Sequence, residues 1–367
     1  MAQSDRGEAE RRILDGRAWE EFCDTLKAAG SVVLGERTPD DPLDRAEGWR
    51  YLTRLTRAAL ETFLEDADPQ APELLRTAHE TVKMGNDNPD NVYLNAPIRG
   101  KHAYRITGTR GTVHYLGFGT QAGNYGATGS LDTTGYLEAR DMEIRPDGTF
   151  EIAVSCERRS GNWLPMTPDS RTLVVRQTRL DRENEELARL RIERVDGPHT
   201  PRPLTAERVD RALKASGLFV MGCARLFEGW AEQFMERPNE LPPFDPKVAG
   251  AAGGDPNIQY YHGYWRVGPD EALVIEVEPP ECDYWNFQLS NHWLESLDYR
   301  YFRIHLNHHT AAREPDGSVK VVVAHRDPGH PNWLDPCGHR QGAMCWRWIR
   351  ASHHPQPRTR VVPVDAL

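Results

Sequence analysis

The spacing of hydrophobic residues is helical near the N-terminus of this chain. Residues 17–30 carry apolar side chains three to four positions apart and stop at Gly30, as a helix would. Residues 42–64 continue the pattern over a longer stretch. The apolar stripe of this second helix consists of Leu43, Ala46, Trp49, Leu52, Leu55, Ala59, Leu60 and Phe63. The first 85 residues are therefore predicted to be helical.

From residue 86 the pattern changes to short alternating runs separated by Gly, Asn and Thr, which is typical of antiparallel strands. Residues 180–195 and 205–236 return to a charged, helical spacing, and residues 241–256 are rich in Pro, Gly and Ala. Strand-like alternation then resumes. The predicted organisation is a helical region (1–85), a first β-sandwich module (86–180), a helical insert and linker (181–255), a second β-sandwich module (256–350) and an extended tail (351–367).

The two β-rich modules resemble each other in sequence. Each passes from Pro-Asp-Gly through an apolar strand and a polar loop to Asn-Trp-Leu, at residues 162–164 and again at residues 332–334. Upstream, residues 102–105 align with residues 262–265. The offset of about 160–170 residues is too long for a solenoid repeat and indicates an internal duplication. We expect Trp163 and Trp333 to occupy equivalent buried positions, and two such modules to leave a cleft between them.

Composition excludes several classes of protein. A chain of 367 residues can form two domains, and its formal net charge of −10 argues against nucleic acid or an anionic membrane as the main partner. No apolar run has the length of a transmembrane helix, and the charged start does not fit a signal peptide. The six cysteines show no CxxC spacing. We therefore expect a cytoplasmic protein with reduced thiols.

No nucleophile elbow, phosphate-binding loop, dinucleotide fingerprint or zinc-protease motif is present. The first polar segment that could carry chemistry runs from Asn86 to Asn91 and is followed by Tyr93. Its amides and carboxylates could bind a polyol or calcium, although Asn and Asp also build turns by bonding their own backbone. Asp87, Asn88 and Tyr93 are the candidate ligand contacts in this segment.

The second segment is a predicted strand over residues 283–289. Its alternation places Asn286 and Gln288 on the face opposite three large apolar side chains, as a ligand-binding face or as the solvated side of a sheet. Glu295 and Asp298 follow, and they would share one face if this run is a helical turn. Two carboxyls in unlike environments can perform acid–base work or cleave glycosides, although this spacing is also that of a solvated helix face.

The third segment contains His305, Asn307 and His309, which would share one face of a strand. They could bind a metal only with a carboxylate from elsewhere, and surface histidines in a loop account for such a run more often than a metal site does. The spacing of histidines and cysteines indicates no third ligand. We therefore expect no metal and no other cofactor.

The fourth segment is the irregular loop from Asp327 to Gly342. Its Asn-Trp-Leu also occurs in the first module, so that part is predicted to be a structural corner. Asp335, His339 and Arg340 occur only in the second copy and are the better functional candidates.

The sequence of this loop, DPGHPNWLDPCGHRQGAMCWRW, resembles the C-terminal signature of the bacterial family called domain of unknown function twelve-fourteen. LVIEVEPPECDYWNFQLSNHW is similar to that family's central stretch, and EGWRYLTRL with GNDNPDNVYLNAPI resembles its actinobacterial single-chain members. The resemblance covers most of residues 40–350. It implies two jelly-roll-like sandwiches, akin to double jelly-roll capsid proteins, and a frequent companion, domain of unknown function twelve fifty-four. It implies no catalytic residues.

The expected fold is mainly β with helical additions, built from two duplicated jelly-roll-like antiparallel β-sandwich modules. The expected function is an enzyme acting on a carbohydrate-like or hydroxylated small molecule, as a carboxylate-dependent hydrolase. The alternative is a non-catalytic ligand-binding or assembly protein, and a homo-oligomer is left open. The catalytic candidates are Glu295, Asp298 and Asp335. The expected substrate contacts are Asp87, Asn88, Tyr93, Tyr260, His262, Asn286, Gln288, Asn291, Trp293, His339 and Arg340.

Overall fold

The structure is a computed structural model that describes residues 2–367, with side chains from residue 7 onward. It contains two compact units. The first comprises Met1–Ser31, Leu52–Val82 and Asp90–Ala224, and the second comprises Val32–Tyr51, Lys83–Pro89 and Arg225–Leu367. The α-helices of residues 2–367 are α1 (Ala2–Leu14), α2 (Arg17–Val33), α3 (Pro42–Leu60), α4 (Ala206–Met235) and α5 (Pro246–Ala251).

Eight strands of the described chain lie in each unit. Those of the first unit are β1 (Asn91–Pro97), β2 (Tyr104–Thr109), β3 (Tyr115–Asn124), β4 (Ser130–Glu138), β5 (Thr149–Ser155), β6 (Trp163–Pro165), β7 (Ser170–Thr178) and β8 (Arg189–Arg194). Those of the second unit are β9 (Ile258–Arg266), β10 (Glu271–Val277), β11 (Tyr284–Leu289), β12 (His305–Asn307), β13 (Val319–Ala324), β14 (Trp333–Leu334), β15 (Gln341–Ile349) and β16 (Arg358–Pro363).

The two units have the same strand order. The sheets of the first unit are β1-β7-β3-β4 and β6-β5-β2-β8, and those of the second are β9-β15-β11-β12 and β14-β13-β10-β16. Adding eight to each strand number of the first unit gives the second unit. The prediction of a mainly β protein with two duplicated modules is therefore confirmed.

Each pair of sheets encloses one hydrophobic core, as expected of a β-sandwich. The first core contains Ile106 of β2, Phe118 of β3, Ile152 of β5 and Val175 of β7, each 0% exposed. The second core is richer in tryptophan and contains Trp265, Trp285, Trp346 and Trp348. The rings of Trp285 and Trp346 stack with centroids 4.9 Å apart. The sandwich architecture is thus established by both sheets contributing to each core, and the jelly-roll assignment stays a prediction.

The Asn-Trp-Leu corner has the same construction in both modules. The side-chain amides of Asn162 and Asn332 each donate to two backbone carbonyl groups and accept from one backbone N–H. The strands that begin at Trp163 and Trp333 each pair in parallel with the preceding strand. The two tryptophans are equivalent as predicted, but both are half-buried rather than buried.

The upstream part of the sequence alignment was wrong. Tyr104 begins β2 and His102 lies two residues before it, whereas His262 and Tyr264 lie on β9. The counterpart of β9 in the first module is β1. A four-residue match without a turn cannot separate neighbouring strands, because alternation is common to all of them.

The predicted helix over residues 180–195 was also wrong, since β8 occupies its second half. Ile192 is 6% exposed and packs in the first core, with Leu190 partly buried against it. Packing against the sandwich decides the structure of this segment despite its helical charge spacing.

Replacing Asn332 by alanine is expected to lower the free energy of unfolding by about 2–4 kcal/mol, as measured by urea denaturation. The side chain is 0% exposed, so the two carbonyl groups and the N–H group it serves would lose their partner inside the protein. Asn162→Ala is the matched control. Because Asn162 is half-buried, water can replace its hydrogen bonds, and a smaller loss is expected. Equal losses at both corners would contradict this explanation.

Candidate functional site

One face of α3 buries acidic residues inside the second unit. Asp44 and Glu47 are 4% and 8% exposed, on the same side of the helix as the buried Tyr51. Leu43 and Trp49, which the apolar stripe placed inside, are 39% and 43% exposed. The predicted stripe was therefore wrong at this end of the helix, because the partners of the two carboxyls lie far along the chain and the local pattern cannot show them.

A glycine lets an indole approach this face of α3. A Cβ atom on Gly48 would lie 2.5 Å from Cζ2 of Trp293. Trp293 Nε1 donates to the carbonyl oxygen of Asp44 at 2.7 Å, and the ring stacks on Tyr51 with centroids 6.2 Å apart. Trp293, a predicted substrate contact, is 1% exposed and holds α3 against the turn that follows β11.

Glu47 and His339 form a buried ion pair. His339 Nε2 donates to Glu47 Oε2 at 2.8 Å, and Nδ1 lies 3.1 Å from the carbonyl oxygen of Pro336. Burial acts to lower the pKa of His339, but the hydrogen bond and charge of Glu47 outweigh it and the pKa is raised. Burial acts to raise the pKa of Glu47, and His339, Asn291 and Arg50 together lower it. Both ring nitrogens of His339 face oxygen acceptors, which fits an imidazolium paired with a carboxylate.

Asn291 connects Glu47 to a second carboxylate. Its Nδ2 donates to Glu47 Oε2 at 2.6 Å and to Glu295 Oε2 at 3.0 Å. Its Oδ1 accepts from the backbone N–H groups of Trp293 and Glu295, which closes the turn. Glu295 is 1% exposed, so the structure brings a predicted catalytic residue to the same amide as Glu47.

The turn that carries Asn291 and Glu295 is not the helical turn that the sequence suggested. Residues 290–297 carry an isolated bridge between Ser290 and Ser296, and Leu294 has a φ of 56°. A branched side chain in that region costs on the order of 1–3 kcal/mol, which the surrounding hydrogen bonds must offset. The carbonyl oxygen of Leu294 accepts from the backbone N–H of Asn86 at 2.7 Å. Glu295 and Asp298 therefore do not share a helix face.

The carboxylate of Asp44 accepts few hydrogen bonds. Among the described residues, the one hydrogen bond to its carboxylate comes from Gln341 Nε2 at 3.3 Å. Burial raises the pKa of Asp44 to about 6, although the charge of His339 opposes this. Asp44 and Glu47 are three residues apart on α3, and their pKa values are shifted in opposite directions.

Residues 83–89 run along this turn and are held by buried polar contacts. Lys83 Nζ donates to the carbonyl oxygens of Ser296 and Leu297 at 2.6 and 2.9 Å. Asp87 accepts from the N–H and the hydroxyl of Ser296 at 2.9 and 2.8 Å, and burial raises its pKa. Asp87, a predicted substrate contact, is thus bonded to the turn that carries Glu295.

The same segment covers the polar face of β11 and β15. Arg347, 3% exposed, donates to Gln288 Oε1 at 2.6 Å, to Asn286 Oδ1 at 3.2 Å and to the carbonyl oxygen of Asn86. Asn286 Nδ2 donates to Asn88 Oδ1 at 2.9 Å. This face was considered either ligand-binding or solvated; in the structure it is buried, and these amides bind groups of the chain itself.

His262, on β9, lies between two parallel rings, that of Tyr260 on the same strand and that of Phe234 on α4. Its centroid is 5.7 Å from that of Tyr260 and 5.4 Å from that of Phe234, each with an interplanar angle of 7°. Burial lowers the pKa of His262 to about 3, so the ring is neutral, and its Nδ1 lies 3.0 Å from Asn86 Nδ2. Tyr260 and His262 therefore join the covered face.

The remaining predicted residues make other contacts. Asp298 is bound by Arg300, whose guanidinium lowers the pKa of that carboxyl. Asp335 Oδ1 accepts from the N–H of Cys337 at 2.7 Å, and Arg340 is exposed. Tyr93 is on β1 in the first unit.

The histidine run gives no metal centre in residues that the structure describes. His305 is on β12, whereas His309 lies in the following turn, where its N–H donates to Asn307 Oδ1. No group of three or more His, Cys, Asp or Glu side chains within the described chain is placed to hold a metal ion. None of the described helices combines the length and apolar character needed to cross a bilayer.

The most important residues missed from the sequence are Asp44, Glu47 and Arg347. A signal existed for the first two, because charged residues at helical spacing within an otherwise apolar face are unusual unless they are paired. Arg347 stands between two tryptophans in a strand, where a buried charge also needs partners. None of these signals identifies the partner.

Part of the chain matches a known protein family. The family described as "Protein of unknown function (DUF1214)" matches residues 270–352. The chain is similar to an uncharacterized protein from Burkholderia cenocepacia of known crystal structure, with 50% identity, a TM-score of 0.96, and coverage of 97% of this chain and 99% of that chain. A crystal structure from Vibrio parahaemolyticus has 13% identity, a TM-score of 0.51, and coverage of 86% and 98%, which shows a shared fold. No curated protein matches. The companion domain stays a prediction.

Proposed function

The chain belongs to the DUF1214 family of proteins of unknown function, and we propose that it is an enzyme acting on a carbohydrate-like or hydroxylated small molecule. The observation that supports this most directly is the pair of buried carboxyls on α3. Burial raises the pKa of Asp44 to about 6, whereas His339 and its neighbours lower that of Glu47. Titratable groups whose environments move their pKa values apart are typical of acid–base sites.

The two carboxyls take different roles in this proposal. Asp44 is the general base, because its pKa is close to neutral and its carboxylate has one long hydrogen bond from the described residues. It takes a proton from a water molecule or from a hydroxyl group of the substrate. Glu47 does not exchange protons near neutral pH, because His339 and Asn291 hold it as a carboxylate.

His339 and Asn291 are positioning residues. Both N–H groups of His339 are used by Glu47 and Pro336, so the imidazolium supplies a fixed positive charge rather than a proton. The amide nitrogen of Asn291 donates hydrogen bonds to both Glu47 and Glu295. Glu295 is therefore the third carboxyl of the proposed hydrolase, after Asp44 and Glu47. In this scheme water attacks a glycoside or ester as Asp44 takes its proton, and that proton then passes from Asp44 to the leaving oxygen.

A cytoplasmic location and a small-molecule substrate form part of the proposal. All six cysteines are free, which fits a reducing compartment. The net charge of −10 does not favour nucleic acid as a partner.

Asp44→Asn is expected to lower kcat at least about 100-fold towards the substrate that the parent turns over best in a panel of p-nitrophenyl glycosides and esters. The parent rate should rise with pH through about 6, as Asp44 loses its proton. Asp40→Asn is the control, because that carboxyl is exposed and lies near the start of α3. Unchanged turnover in Asp44→Asn would exclude Asp44 as the base. A parent that hydrolyses none of the panel would favour the alternative, a non-catalytic binding or assembly protein.

A further inference from the structure

Two fully buried side chains of the second unit do not satisfy each other's hydrogen bonds. Tyr264 of β9 and His292 of the turn after β11 are both 0% exposed. The hydroxyl of Tyr264 lies 3.0 Å from His292 Nδ1, and the rings are nearly perpendicular. The other ring nitrogen, His292 Nε2, has no hydrogen-bond partner among the described residues.

Counting protons shows that this deficit does not depend on how hydrogens are placed. Burial lowers the pKa of His292 to about 4, so at neutral pH the ring carries one N–H. If the Tyr264 hydroxyl donates to Nδ1, the N–H at Nε2 has no acceptor. If Nδ1 donates to the hydroxyl oxygen, the hydroxyl proton and the Nε2 lone pair both lack a partner. Either arrangement leaves a buried polar group unpaired, which costs about 1–3 kcal/mol.

The buried amides of Asn291 and Asn332 do not show such a deficit. Asn291 uses both its amide nitrogen and its oxygen, and Asn332 does the same at its corner. The unpaired nitrogen lies one residue from Asn291, and the charge of Asp44 acts on the Tyr264 hydroxyl, whose pKa is raised by burial and by that charge. The Tyr264 hydroxyl, which contacts His292, is therefore within reach of the charge of the proposed base.

We propose that His292 and Tyr264 bind an uncharged hydroxyl or carbonyl group of the substrate, next to Asp44. The inference rests on the proposed function for the chemistry at Asp44 and names the substrate group held there. A carboxylate or phosphate does not fit this position. Its negative charge would be repelled by that of Asp44, which acts on the Tyr264 hydroxyl, while both N–H groups of His339 are already used by Glu47 and Pro336.

The test is a binding measurement with defined probes. Glycerol, xylose and glucose serve as neutral probes, and glycerate and gluconate as their acidic counterparts, detected by saturation-transfer difference NMR. The parent protein is expected to bind at least one neutral probe and neither acid. His292→Phe keeps an aromatic ring of similar size, and we expect it to weaken that binding at least tenfold.

Two further variants complete the test. His325→Phe is the matched control, because His325 Nε2 has a partner in the carbonyl oxygen of Val267 and should not affect probe binding. Tyr264→Phe removes only a hydroxyl, and it should weaken binding as well; it also replaces His292→Phe if that variant does not fold.

Each other outcome overturns the inference. It is wrong if His292→Phe binds the probes as the parent does, if the parent binds no neutral probe, or if it prefers the acids. Turnover separates the two proposals. If Asp44→Asn loses turnover while His292→Phe keeps probe binding, the proposed function stands and this inference falls; the reverse result removes the proposed function only.

Discussion

Replacing Arg347 by methionine is expected to lower the free energy of unfolding by about 3–5 kcal/mol at neutral pH. The guanidinium is 3% exposed and donates to Asn286, to Gln288 and to the backbone carbonyl of Asn86. Methionine fills a similar volume but donates no hydrogen bond. Three acceptors would then be left in the interior, where water cannot reach them without opening residues 83–89.

Chemical denaturation monitored by tryptophan fluorescence measures this loss. Arg340→Met is the control, because Arg340 is exposed and should change stability by less than about 0.5 kcal/mol. Arg347→Lys should fall between the two, since one ammonium cannot reach all three acceptors in the same geometry. If Arg347→Met were as stable as the parent, the polar face would be held by its apolar contacts instead.

Asp44→Asn is expected to make the protein more stable above pH 6, by on the order of 2–3 kcal/mol, and to have no effect near pH 4. Burial raises the pKa of this carboxyl to about 6 from an ordinary value of 3.8. A group whose pKa is higher in the folded state contributes its full stability below the unfolded pKa. That contribution is lost as pH rises through the folded pKa. Asparagine stays neutral and therefore avoids the loss.

The free energy of unfolding of both proteins, measured from pH 4 to pH 8, gives the comparison. Asp298→Asn should show the opposite sign, because Arg300 lowers the pKa of Asp298 and its contribution is lost as pH falls. A parallel pH profile for Asp44→Asn and the parent would show that Asp44 is not a buried carboxyl with a raised pKa. A stability gain together with lost turnover would show that Asp44 is retained for function at the expense of stability.

Much of the fold could be predicted because its signals are local. The corners at Asn162 and Asn332 depend on turn residues and on hydrogen bonds within about twenty positions of each other along the chain. The strand β8 could not be predicted, because its charged alternation resembles a helix and only packing in the sandwich decides between them. The same limit applies to the upstream alignment of β2 with β9, where alternation fits every strand.

The site could be predicted in part. The predicted residues of the second module included Asn291, Glu295 and His339. In the structure Asn291 and His339 bind one carboxylate, and Glu295 binds the same amide of Asn291. That carboxylate, Glu47, was missed because its partners are 244 and 292 positions away in the sequence. A helix periodicity predicts which side of α3 is buried only when that side is apolar. Here polar groups from distant loops make it favourable to bury acidic residues instead.

The shared strand order has a consequence for how the chain reaches its native state. Each strand of the first module has a counterpart in the second with the same neighbours, so a growing chain offers two acceptable places for one strand, as in domain swapping. The side chains remove this ambiguity. The strand β7 presents Leu173 and Val175 to its core, whereas β15 presents Met344, Trp346 and Trp348. An exchanged strand would overpack one module and leave voids in the other. The different core side chains of the two modules therefore favour pairing of each strand within its own module.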